Sequence, residues 1–240
     1  LKLVLLPGMD GTGELFSSLL FSLSEYECEV IALPQTGPQD YASITEYVKE
    51  KLPQNDFILV AESFSGPVAA RLAKEGVEHL QGVIFVATFL SKPHWLLLSI
   101  ARALPLKLLS ALPFAKPFVK ALFLGSAASN ELVEQFQSIV DSLPPRVIKA
   151  RLSSMLSLSF SAELIELPVG YIQATSDYLV SSNKVTEFSA CFRELQVRSV
   201  EGPHFILQAN PAKSAEVISE LVTLFGKQTG KRAELLFRSS

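Results

Sequence analysis

One stretch constrains the chain more than any other: Phe57-Ile58-Leu59-Val60-Ala61-Glu62-Ser63-Phe64-Ser65-Gly66-Pro67-Val68-Ala69-Ala70. It opens as an apolar run of the kind found in a strand buried on both faces. Val68, Ala69, Ala70, Leu72 and Ala73 then read as a helix. The small residues between them fit a sharp strand-to-helix turn. Such a turn projects its apex residue away from the backbone at the carboxyl edge of a sheet. That residue is Ser63, and a hydroxyl presented there is placed for nucleophilic attack. Ala61 and Ser65 keep the flanking positions small, where strand and helix approach closely. Ser65 is a rival nucleophile, but its register puts Pro67 where a small, flexible residue is wanted. Pro67 instead suits the first turn of the helix, where a missing N–H costs nothing. An ordinary strand–helix junction with a surface serine has a similar sequence, so the partners of Ser63 decide.

The rest of the chain alternates strands with helices. Leu3–Leu6, Glu29–Leu33, Phe57–Ala61, Leu80–Ala87, Pro168–Thr175 and Glu194–Val200 read as strands. Ser43–Leu52 reads as a helix with Ser43 as N-cap and Glu46 completing a capping box. A helix with Leu15, Phe16, Leu19, Leu20 and Leu23 on its apolar side follows the first strand. Another begins at Pro211 behind the cap Asn210, and the polar tail from Gly226 is expected to fray. This rhythm predicts an α/β fold with a mostly parallel sheet and right-handed crossovers. In the loop Pro7–Gly13, Gly8, Gly11 and Gly13 mark a backbone that approaches something closely. Its N–H groups can face a developing oxyanion. A phosphate loop is the competing reading, but the GxGxxG spacing is absent and no Lys-Ser/Thr follows.

Between residues 89 and 166 strand-like runs disappear, and leucine-rich helical segments are broken by prolines. The division expected is a core of residues 1–88 and 167–240 with a helical cap inserted at 89–166. No Asp or Glu occurs from His79 to Asn130, whereas Lys92, Arg102, Lys107, Lys116 and Lys120 do. An apolar, cationic cap over a serine site points to an acyl-chain substrate, with an acidic acyl-carrier protein as a candidate partner. His94 and Trp95 in the cap, and Asp10 in the glycine loop, are candidate pocket residues.

A serine hydroxyl needs a base, most often a neutral imidazole, and a carboxylate to orient that ring. Of the three histidines, His79 precedes a strand, at the wrong edge of the sheet, and His94 lies in the cap. His204 follows the last strand, on the edge of Ser63. Asp177 follows the strand before it. Ligands of open α/β sheets bind at that carboxyl edge, so Ser63, Asp177 and His204 are the expected triad. The other acids near the site, Asp10 and Glu62, follow no late strand.

Bulk properties narrow the partners. A chain of 240 residues with net charge −3 suits one α/β domain with an insertion, and offers no basic footprint for nucleic acid. Cys28 and Cys191 belong to no metal-binding spacing and are expected as reduced, buried thiols. The opening Leu1–Leu6 is too short for a signal peptide and runs into a turn. No stretch is long and apolar enough for a transmembrane helix. A cytoplasmic protein is the expectation.

The loop Pro7-Gly8-Met9-Asp10-Gly11, the elbow Ala61-Glu62-Ser63-Phe64-Ser65-Gly66, the turn Thr175-Ser176-Asp177 and the loop Gly202-Pro203-His204 together resemble the α/β-hydrolase superfamily over essentially the whole chain. The chain resembles that family from its third strand onward, without the opening hairpin. Both elbow glycines are replaced, and the usual His-Gly of the first loop is Pro7-Gly8. Within the superfamily the chain is similar to small capped carboxylesterases, among them the biotin-pathway pimeloyl-carrier-protein methyl ester esterase group. Leu143-Pro144-Pro145-Arg146, Lys149 and Arg151 resemble that group loosely. The resemblance implies a serine hydrolase acting on small-molecule acyl esters through an acyl-enzyme, with no metal or organic cofactor. It implies an oxyanion hole of the Met9 and Phe64 N–H groups, with Asp10 as the alternative donor to Met9. An acyltransferase or thioesterase on the same triad, and a non-catalytic ligand receptor of the same fold, are the alternatives.

Overall fold

The computed structural model describes residues 1–93, 120–126, 128–161 and 163–238. Six strands form one sheet: β1 (Lys2–Leu6), β2 (Glu27–Val30), β3 (Phe57–Glu62), β4 (Leu80–Val86), β5 (Val169–Ala174) and β6 (Leu195–Val200). Their order is β2-β1-β3-β4-β5-β6, and every neighbouring pair is parallel. The β2 strand begins and ends earlier than the apolar run Glu29–Leu33 implies. Its register is set by pairing of Lys2 with Glu27 and Leu5 with Val30. Lys2 also bridges Glu27 and Glu29 on this edge, so the edge carries charge rather than an open apolar ladder.

Successive residues of a strand face opposite sides of the sheet, and each side has its own core. Val4, Leu6, Leu59, Ala61, Val83, Phe85 and Tyr171 pack on one side. Leu3, Leu5, Ile58, Val60, Ile84, Val86 and Ile172 pack on the other. The first side is covered by α2 (Tyr41–Lys49), α3 (Gly66–Lys74), α5 (Pro145–Leu156) and α6 (Val185–Cys191). The second is covered by α1 (Ser17–Ser22), α7 (Ile206–Ala209) and α8 (Pro211–Arg238). Between β4 and β5 the described residues form a π-helical turn (Lys120–Leu124), α4 (Asn130–Ser142) and α5, and no named strand.

Two expectations about helix ends are corrected. Helix α2 starts at Tyr41, and its N-cap is Asp40, not Ser43. The Asp40 carboxylate accepts from the Ser43 N–H at 2.9 Å and from its hydroxyl at 2.7 Å. Ser43 is therefore the capped residue. Asp40 wins because an extended Asp directly before Tyr41 keeps Tyr41, Ile44 and Val48 on one buried face. The polar tail from Gly226 continues as helix through Arg238. Of the cysteines, Cys191 is buried, Cys28 is half-buried, and both are free thiols.

The chain runs from β1 outward to β2, then returns to β3 and continues the other way. The carboxyl ends of β1 and β3 are thus a topological switch point, where the two following loops diverge and leave a crevice. The loop after β1 begins at Pro7, and the loop after β3 begins at Ser63.

Candidate active site

At the end of β3 the backbone turns within one residue. Ser63 has φ of 47°, a conformation costly for a side chain other than glycine's and one that marks functional turns. Ser63–Ser65 form a 3₁₀ turn, and α3 starts at Gly66 with Pro67 in its first turn. Three contacts hold the turn. Thr88 Oγ1 donates to the Ser63 carbonyl, Ser65 Oγ donates to the Pro7 carbonyl, and the Tyr171 hydroxyl donates to the Thr88 carbonyl at 2.8 Å. A Cβ on Gly66 would lie 2.0 Å from Thr88 Oγ1, so the close approach is met by a glycine three residues after the serine. Ser65 is fully buried, and its hydroxyl is engaged by the Pro7 carbonyl rather than by His204.

The loops after β5 and β6 are stitched together by the Thr175 N–H to the Val200 carbonyl at 3.1 Å and the Ser176 N–H to the Gly202 carbonyl at 2.8 Å. They carry Asp177 and His204. Asp177 Oδ2 lies 2.7 Å from His204 Nδ1, while Oδ1 accepts from the N–H groups of Leu179 and Val180 at 2.8 and 2.9 Å. That fixes the carboxylate. A carboxylate facing Nδ1 places the ring proton there, so Nε2 is the acceptor. Nε2 lies 2.9 Å from Ser63 Oγ. Ser63, His204 and Asp177, separated by up to 141 residues in the chain, thus form one continuous hydrogen-bonded line. It is almost closed to solvent, with Ser63 8% and His204 3% exposed.

The loop after β1 lies against the serine: a Cβ on Gly8 would be 3.8 Å from the Ser63 Cβ. Each carbonyl from Pro7 to Gly11 has a donor. The Pro7 carbonyl takes Ser65 Oγ, Gly8 takes the Gly11 N–H at 3.1 Å, and Met9 takes Arg151 Nη1 at 2.7 Å. Asp10 takes Gln35 Nε2 at 3.2 Å and Gly11 takes the Leu33 N–H at 2.7 Å. With the carbonyls fixed, the peptide planes are fixed too. The Asp10 side chain is buried and accepts from the Thr12 N–H and hydroxyl at 2.9 and 2.7 Å. His94 and Trp95 lie outside the described residues. His79 is at the opposite edge, 3.3 Å from Asp56, beside a surface depression of about 320 Å³ lined by Lys49, Leu52 and Glu75. Among the described residues no cluster of His, Cys, Asp and Glu could hold a metal ion.

Two charged residues at the site were not anticipated as parts of it. Glu62 is 2% exposed. Its Oε2 accepts from Gln208 Nε2 at 3.2 Å and its carboxyl also faces the Gly8 N–H. Burial pushes this carboxyl up to about 7, the Asp10 charge adds to the rise, and His204 opposes it. Arg151 of α5 is fully buried. Burial lowers its guanidinium to about 10, with Asp10 opposing, so it remains a cation at neutral pH. The sequence does hold a signal for it. Val147, Ile148, Arg151, Leu152 and Met155 form the buried face of α5, and an arginine on an apolar stripe needs partners.

A family profile described as serine aminopeptidase, S33 (Hydrolase_4) matches residues 35–202. The structure is similar to a hydrolase from Pseudomonas aeruginosa PA01, with 15% identity, TM-score 0.76 and coverage of 92% of this chain and 89% of that one. It is similar to the enol-lactonase from Burkholderia xenovorans LB400, with 12% identity, TM-score 0.78 and coverage of 92% and 91%. A thioesterase from the prodiginine biosynthetic pathway of Streptomyces coelicolor aligns with 16% identity, TM-score 0.66 and coverage of 92% and 84%. At such identities the likeness is one of fold, and the fold is that of the α/β-hydrolases. No curated protein matches the chain in sequence.

Proposed function

The chain belongs to the hydrolase family described as serine aminopeptidase, S33, and from that premise we propose that it cleaves small-molecule acyl esters through an acyl-enzyme on Ser63. The observation that carries this reading is the unbroken line from Ser63 Oγ through His204 to Asp177, at 2.9 and 2.7 Å. Ser63 Oγ attacks the acyl carbon as His204 Nε2 takes its proton. The charge on the carbonyl oxygen is met by the N–H groups of Met9 and Phe64. The C–O bond to the alcohol then breaks, and His204 returns the proton to the leaving oxygen. Water attacks the acyl-enzyme with His204 again as base. The acid is released as Oγ recovers its proton. Asp177 keeps the ring oriented and balances its positive charge.

Residues 89–166 act in this reading as a cap. Phe123, Phe136 and Phe205 pack on one another beside Leu15 and Val133, and the Phe205 ring meets His204 edge-on at 5.4 Å. This supports an apolar wall next to the base, suited to an acyl chain. The test is turnover of p-nitrophenyl acetate and longer acyl esters by the wild type and by Ser63→Ala. Loss of turnover in the variant with an unchanged melting temperature is expected; activity near wild type would move the nucleophile elsewhere. Added alcohol that diverts the acyl group from water would identify an acyltransferase. The cationic run Lys92, Arg102, Lys107, Lys116 and Lys120 extends the proposal to an acidic acyl-carrier protein as partner. Replacing the last four should then raise KM for a carrier-linked substrate and spare a small ester.

A further inference from the structure

The second charged residue at the site, Arg151, touches both segments assigned to the oxyanion hole, and it comes from neither. Its Nη1 donates to the Met9 carbonyl at 2.7 Å, Nη2 to the Pro34 carbonyl at 2.9 Å, and Nε to Gln39 Oε1 at 2.9 Å. Its Cζ lies 5.8 Å from the centre of the Phe64 ring, within reach of a cation–π contact. Phe64 stacks in turn on Tyr41 at 4.9 Å. A Cβ on Gly11 would come within 2.4 Å of Nη1. Gly11, at φ of 72°, thus provides the space the guanidinium fills. Gln39 is itself buried, and its amide donates to the carbonyls of Thr36 and Gly37, so the acceptor for Nε is held as firmly as the donor.

We infer that Arg151 is the positioning residue of the oxyanion hole: one guanidinium, delivered by α5, holds the Met9–Asp10 peptide, which directly follows the Met9 N–H and carries that of Asp10, through the Met9 carbonyl, and the Phe64 segment through its ring. The inference rests on the reading of Met9 and Phe64 as the oxyanion donors. Its chemistry is specific to arginine. The planar fork spans two carbonyls and a side-chain amide at once, which a lysine ammonium on a flexible stem does not reproduce. The consequence is a link between the insertion and the reaction. A movement of α5 reaches the segments of both assigned donors directly, whereas His204 and Asp177 sit on the loops after β6 and β5.

Such a role predicts loss of transition-state stabilisation without loss of substrate binding. In Arg151→Lys, kcat for p-nitrophenyl acetate should fall about 10-fold or more while KM stays within about threefold. The inhibition constant of a phenylboronic acid, whose adduct with Ser63 is tetrahedral and anionic, should rise by the same factor as kcat falls. Amide hydrogen exchange across residues 7–13 should accelerate, read on the same protein without turnover. A folded Arg151→Lys with kcat, boronate affinity and exchange all within twofold of wild type overturns the inference. So does a loss confined to KM. If Arg151→Lys does not fold, Gln39→Leu removes the partner of Nε and leaves the guanidinium. It should show the same kcat-specific loss and faster exchange in smaller measure, and unchanged values overturn the inference. A wild type that neither turns over esters nor binds the boronate would defeat the ester reading instead. The exchange measurement would still decide whether Arg151 holds the loop.

Discussion

Glu62 offers the sharpest test of the physics of the site. Its carboxyl lies one residue before Ser63, sealed from solvent, and burial pushes it up to about 7 from its ordinary 4.5. The largest cause is burial, which penalises the charged form, and the Asp10 charge adds to it. The linkage has a definite sign. Between pH 4.5 and about 7 the folded protein keeps a proton that the unfolded chain has released, so stability falls as pH rises through that window. Above it the carboxylate is charged in both states and the whole penalty is present. At about 1.4 kcal/mol per unit, this rise corresponds to about 3 kcal/mol.

Glu62→Gln removes the ionisation and keeps the shape. Glu62 Oε1 and Gln208 Oε1 are both buried without a hydrogen-bond partner among the described residues. Thermal melts of wild type and Glu62→Gln at pH 4.5 and at pH 8 supply the comparison, since titrating groups remote from Glu62 cancel in the difference. The variant's advantage should be greater at pH 8 by about 3 kcal/mol, or roughly 6–12 °C in melting temperature for a chain of this size. A difference between the two proteins that is the same at both pH values would refute the reasoning, and so would one that grows toward acid.

Three further outcomes follow from named contacts. Asp177→Asn keeps the shape of the group facing His204 Nδ1 but supports the wrong tautomer of that ring, so on the ester-cleaving reading kcat should fall by about 10⁴-fold with little change in melting temperature. Gly66→Ala drives a methyl group to 2.0 Å from Thr88 Oγ1; urea unfolding should show a loss of about 1–3 kcal/mol, and turnover should fall because Thr88 holds the Ser63 carbonyl. Asp40→Ala removes the cap of α2 and should cost about 1 kcal/mol in the same assay while kcat stays at its wild-type value.

The sheet was legible because its signal is local. Runs such as Ile58-Leu59-Val60 and Val83-Ile84-Phe85 are apolar at every position, and only a strand covered on both faces places consecutive residues in two cores. The meeting of Ser63, Asp177 and His204 was legible for a related reason: each follows a strand, and in a parallel sheet every strand delivers its next loop to the same edge. What sequence alone concealed depends on who faces whom across the fold. The helix start at Asp40 rather than Ser43 turned on which of two competent caps leaves Tyr41, Ile44 and Val48 buried together. The fit at Gly66 depends on Thr88, which follows a different strand, and Arg151 finds its acceptors 112 to 142 residues away.

These concealed features have something in common. Ser63 in a left-handed conformation, Glu62 buried beside it and the Arg151 cation fully enclosed each work against folding, and all three converge where the loops after β1 and β3 diverge. Each of the two charged groups contacts the loop of Met9: Glu62 through the Gly8 N–H and Arg151 through the Met9 carbonyl. A glycine-rich loop has many conformations of similar energy, and an apolar neighbour would select none of them. Directional partners on both sides of the loop select one. On the ester-cleaving reading, the destabilisation at this corner of the fold is the physical cost of holding two backbone N–H groups still.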